Sequence, residues 1–102
     1  MLTHVVLIDV PDDAPEGAID ELVAGLRSLP DQIPEIQEYT VGVDLALAEG
    51  NASVAIIGRY ASPEDLRTYI DHPAHQAVVR DRIRAIGAST VRAQIAEDPP
   101  PA

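Results

Sequence analysis

The sequence predicts an α+β sandwich in the order strand, helix, strand, strand, helix, strand, with one face of its sheet left uncovered. Three observations carry this. Segments with helical period alternate with apolar runs rich in β-branched residues along a chain of 102 residues, which has room for one domain. Proline, glycine and Asp/Asn clusters fall between those segments. The first and third strand candidates are apolar on both alternating faces, although helices in this order cover only one.

The first strand candidate is residues 2–10, opening Leu2-Thr3-His4-Val5-Val6-Leu7-Ile8. Leu2, Val6 and Ile8 share a face with His4, and Val5 and Leu7 occupy the other. Pro11-Asp12-Asp13 reads as a turn. Over residues 15–29, Ile19, Leu22, Val23, Leu26 and Leu29 fall on one helical stripe, with Asp20, Glu21 and Arg27 off it. Pro30 stops that helix. After a loop through Ile33-Pro34-Glu35-Ile36, a second strand is predicted at 36–43 and a third at 52–60, separated by a loop holding Glu49-Gly50-Asn51.

Ser62-Pro63-Glu64-Asp65 is a helix start: a serine cap, proline at the first position, then acids suited to the helix dipole. That helix presents Leu66, Tyr69 and Ile70 on one face and breaks at His72-Pro73, because the residue before a proline avoids the helical region. A new helix runs from Pro73 to Ile86 with Val79, Ile83 and Ile86 inward, and Gly87 is its C-terminal cap. The last strand covers 88–96. Residues 1–97 are read as the domain and 98–102 as a flexible Pro-rich tail.

This order is that of a ferredoxin-like sandwich. Right-handed crossovers place both helical segments on the same sheet face. A second copy of the sheet is the simplest cover for the other, so a homodimer joined sheet to sheet is expected.

Composition excludes several functions. Seventeen acidic residues against seven basic ones give a net charge of −10, which repels nucleic acids and anionic membranes. There is no cysteine, hence no disulfide, thiolate nucleophile or Cys-based zinc site. With three Tyr and no Phe or Trp, an internal pocket must be walled mainly by aliphatic side chains. The N-terminal run lacks a basic region and is broken by Asp9, and no run reaches the roughly 20 apolar residues of a membrane span, so a cytoplasmic location is expected. No phosphate-binding glycine loop is present.

His4-Val5-Val6-Leu7, Ile33-Pro34-Glu35-Ile36, Val41-Gly42 and Tyr69-Ile70-Asp71-His72-Pro73-Ala74-His75 occur in an order that resembles the stress-responsive dimeric α/β-barrel (Dabb) family. The resemblance spans the chain up to the proline tail. It implies two ferredoxin-like protomers closing into a barrel-like dimer, with a cavity between sheet and helices in each. Members include non-catalytic proteins, stable oligomeric stress proteins and plant enzymes. The enzymes include olivetolic acid cyclase-type polyketide cyclases and a hydroxynitrile lyase, which need no metal or organic cofactor. For the cyclase type, the resemblance implies that Tyr69 and His75 are the acid–base pair, and it maps the family's strand histidine onto His4 and the first His of the HPxH element onto His72. The chain departs from the family pattern at Ile8-Asp9-Val10, where Phe and Lys often follow, at Asp44, and in lacking aromatic pocket walls.

The residues themselves allow two readings of these positions. His75 lies on the inward stripe with Val79 and Ile83, in the first turn of its helix, where the dipole disfavours a charged imidazole and leaves a neutral base. Tyr69 lies on the buried stripe of the preceding helix and could donate a proton or hold an oxyanion. Alternatively both are core residues whose polar tips bond to backbone. His72 is a cap or a substrate contact, and His4 a core histidine or a cavity residue. His72 and His75 flank a helix break and need not converge, and no third ligand can be placed, so no metal is expected.

The expected function is a cofactor-independent acid–base enzyme, an aldol-type cyclase or a lyase, with a small carbonyl substrate as ligand. Catalysis would fall to His75 and Tyr69, and substrate binding to His4 and His72. The alternatives are a non-catalytic stress or small-molecule-binding protein and, by fold analogy, a cofactor-free monooxygenase.

Overall fold

Four strands form one antiparallel sheet in the order β2-β3-β1-β4 in the computed structural model, which describes residues 1–97. They are β1 (Leu2–Asp9), β2 (Glu38–Val43), β3 (Val54–Tyr60) and β4 (Ser89–Ala96). The expected tail, 98–102, lies outside the described residues. β1 and β3 are the central strands, paired Leu2↔Tyr60 through Ile8↔Val54. The fold is the predicted ferredoxin-like one.

α1 (Ala18–Arg27) and α2 (Pro63–Asp71), with α3 (Pro73–Val78), pack on one side of the sheet. Ile8, Val54, Ile56 and Tyr60 meet Leu22, Leu26 and Tyr69 there, all almost fully buried. α1 begins three residues later than its periodicity predicts. Gly17 takes a left-handed φ of 81°, so the helix cannot extend back through it. α2 starts as predicted, with the Ser62 hydroxyl accepting from the Asp65 N–H at 3.2 Å. It ends at His72, whose ψ of 135° is the extended value that Pro73 requires.

The helix predicted over 73–86 is not uniform. It is α-helical only to Val78, then makes a π-helical turn (Val79–Ile83) and a tight 3-10 turn (Arg84–Ile86). The wider π turn winds less per residue, which keeps Val79 and Ile83 on the face that His75 presents. Gly87 closes the segment at φ 72°.

Tyr60 folds back over its own strand because position 58 is glycine: a Cβ there would lie 2.9 Å from the Tyr60 hydroxyl. Among the described residues, no helix lies on the opposite sheet face. Leu7, Ile57, Val91 and Ile95 stand on it, 43%, 46%, 71% and 59% exposed. One corner is rimmed by Arg59, which grips Glu97 at 2.6 and 2.8 Å and Glu38 at 2.9 Å. Leu45 and Leu47 of the β2–β3 loop, 79% and 83% exposed, overhang the same face and form with it a groove of about 610 Å³. Contiguous exposed apolar surface of this kind marks an interaction site. Among the described residues no helix is long and apolar enough to cross a membrane.

Candidate active site

The α2–α3 break builds the site. Ile70 would ordinarily give its carbonyl to the Ala74 N–H within a continuous helix. Here Ala74 donates instead to His72 Nδ1 at 3.0 Å, the capping bond of α3. The Ile70 carbonyl is thereby free for side chains: His75 Nδ1 lies 2.9 Å from it and Gln76 Nε2 donates to it at 2.7 Å. A carbonyl only accepts, so His75 Nδ1 carries the proton and Nε2 keeps a lone pair. Burial lowers the pKa of His75 below 6.5, the Ile70 carbonyl working against that shift. The result is a neutral imidazole with a defined basic nitrogen.

Tyr69 lies against this ring, with centroids 4.4 Å apart. Its hydroxyl is 2.7 Å from that of Tyr39 on β2, so one phenol donates to the other. Burial raises the pKa of both, and they stay protonated at any working pH. His4 is 4% exposed and sits edge-on to Tyr69 at 6.3 Å. Gln94, directly across from it on β4, donates its amide to His4 Nδ1 at 3.0 Å, which leaves the His4 proton on Nε2. His4 is also held below 6.5, by burial first and then by the charges of His75 and Arg92.

His4, Tyr69 and His75 border one cavity of about 460 Å³ between sheet and helices, within the ordinary size range of small-molecule sites. Its walls are the aliphatic ones that the composition predicts, among them Val6, Ile8, Leu26, Ile56, Val79 and Ile83. Gln76, Thr90, Arg84 and Arg92 add polar groups. His72 is not among the lining residues, and its Nδ1 is committed to the cap. The expected substrate-binding pair is thus split: His4 lines the cavity and His72 frames the turn beside it. Tyr39, Gln94 and the two arginines were not singled out from sequence. Only Tyr39 left a signal there, two residues before Val41 and so on the same strand face.

The two lowered histidine pKa values fix a pH dependence. The unfolded chain takes up protons below pH 6.5 where the folded site does not, so stability is full above that pH and falls as the pH drops through it. Each histidine held neutral contributes a slope of up to about 1.4 kcal/mol per pH unit. Denaturant unfolding between pH 7.5 and 5.5 is expected to show this loss, and His4→Gln with His75→Gln to flatten it.

A model of the stress responsive A/B barrel domain family matches residues 2–94. No curated protein matches the chain. Among solved structures, a dimeric ferredoxin-like protein of unknown function from Thermobifida fusca is 29% identical, with a TM-score of 0.82 over 94% of this chain and 90% of its own. A hydroxynitrile lyase from Passiflora edulis is 19% identical, with a TM-score of 0.75 over 97% and 96%. A Deinococcus radiodurans protein proposed to be an antibiotic biosynthesis monooxygenase is 12% identical, with a TM-score of 0.77 over 100% and 97%. The last two are likenesses of fold. With nearly its whole length matched by the family model, the chain belongs to the stress responsive A/B barrel domain family.

Proposed function

We propose that the protein is a homodimeric, cofactor-independent acid–base enzyme acting on a small carbonyl compound, as an aldol-type cyclase or a lyase does. One observation carries the reading: His75, kept neutral by burial, is held by the Ile70 carbonyl in the Nδ1–H tautomer with Nε2 left basic, on a ring that borders the same cavity as the Tyr69 phenol. In an aldol-type reaction His75 Nε2 takes a proton from the carbon next to a carbonyl. The negative charge moves to the carbonyl oxygen, where the Tyr69 hydroxyl donates to it. With Tyr39 as the donor in the Tyr39–Tyr69 bond, the Tyr69 proton is left for the substrate. The enolate carbon attacks a second carbonyl, and the new alkoxide recovers the proton from His75.

Olivetolic acid cyclase-type members supply the precedent for this pair, and the Passiflora edulis lyase shares the fold. His4, fixed by Gln94, is assigned to the substrate-contacting wall, and His72 to positioning His75 through the turn. The dimer rests on the uncovered apolar sheet face and on the dimeric Thermobifida fusca protein.

The test needs no knowledge of the natural substrate. Small ketones in D₂O should exchange the hydrogens next to their carbonyl in the presence of the protein, and not with His75→Ala. No exchange with the intact protein over a panel of ketones would retire the enzymatic reading in favour of a binding protein. Oxygen consumption with substrate would point instead to a cofactor-free monooxygenase.

A further inference from the structure

Basic residues are scarce here: seven, all arginine, against 17 acidic ones. Arg59, Arg80 and Arg82 are held in ion pairs, and Arg27 donates to the Val41 carbonyl at 2.8 Å. Of the remaining three, two border the cavity that holds His4, Tyr69 and His75. Arg84 comes from the 3-10 turn after Ile83, and Arg92 from β4, opposite Val6. Among the described residues neither has an acidic partner, and no Asp or Glu lines the cavity. Both arginines are solvent-exposed, so they stand at the cavity's open side, where a charge costs little to keep. Two cations with no acidic partner among the described residues, at the mouth of a mostly aliphatic chamber in a strongly acidic chain, favour an anion there.

The geometry points to an anion subsite: Arg84 and Arg92 receive a carboxylate or phosphate group of the ligand, whose carbonyl end reaches His75 and Tyr69. This rests on the proposed acid–base reading only for the carbonyl end; the anionic end stands on the arginines. Guanidinium forks match either anion, and both groups present the same charged oxygens. Val6, opposite Arg92, is two residues along β1 from His4, about 7 Å at the usual strand rise. The anion and the reacting carbonyl therefore belong to one small molecule, a few bonds apart. The field of Arg92 reaches inward, since its charge contributes to holding His4 neutral.

The probes are 4-oxo-4-phenylbutanoate, its phosphonate analogue and its neutral amide, titrated at low salt against the ring signals of His4 and His75. At least one anion is expected to bind about tenfold or more tightly than the amide, and the tighter anion identifies the group. In R84Q/R92Q this preference should fall to within about twofold while amide binding stays unchanged, and R84K/R92K should restore part of it. Equal binding of amide and anions by the intact protein, or a preference that survives in R84Q/R92Q, would overturn the subsite. His75→Ala separates this from catalysis. It removes ketone exchange but should keep the anion preference, read at His4, so either idea can fail while the other stands.

Discussion

His75→Ala is expected to slow ketone exchange by about 10²–10⁴-fold, the usual contribution of a positioned general base. The protomer should survive the change. The bond lost is the one to the Ile70 carbonyl, and Gln76 still donates to that carbonyl at 2.7 Å, so no buried acceptor is orphaned. The stability cost should then stay near the net worth of one hydrogen bond, about 1 kcal/mol. If His75 had only a packing role, exchange would not change. Tyr69→Phe is the companion test. It removes the donor to the developing oxyanion and also orphans the Tyr39 hydroxyl, so both rate and stability should fall.

Ile57→Glu should dissociate the proposed dimer. Ile57 stands on β3 at the middle of the open sheet face and is 46% exposed in the protomer, so glutamate there is tolerated by the isolated fold. Packing two such faces together would bury the carboxylate, and in a symmetric pair it would do so twice. The apparent dissociation constant is expected to rise at least about 100-fold, since a few kcal/mol of desolvation per charge suffices. Sedimentation of the parent chain and of Ile57→Glu checks this: a dimer for the first and a folded monomer for the second. A parent chain that is a monomer at micromolar concentration would sink the dimer proposal.

Much of the fold was legible because the strands and helices differ in period. The paired apolar faces of β1 and β3 raised the expectation of a second sheet over the open face, and His72-Pro73 marked the helix break. Tyr69 and His75 could be placed at one cavity because each lies on the inward stripe of its own helix. Other features depend on tertiary register, which a single sequence does not state. Gln94 meets His4 only through the β1–β4 pairing, ninety residues apart in sequence. The Tyr39–Tyr69 bond joins a strand to a helix. The π turn of Val79–Ile83 has no residue signature, and the late start of α1 depends on the left-handed conformation of Gly17. Arg84 and Arg92 come to one opening only through the placement of β4 and the 3-10 turn.

The assignment of His75 as a neutral base with its proton on Nδ1 is tested most directly by ¹⁵N-detected NMR of the histidine rings. The structure requires His75 to show the Nδ1–H tautomer at pH 7, to titrate below 6.5, and to shift when a small ketone is added. An Nε2–H tautomer, or titration at or above 6.5 with no response to any ketone, would contradict it and leave the family, the fold and the cavity without the proposed chemistry.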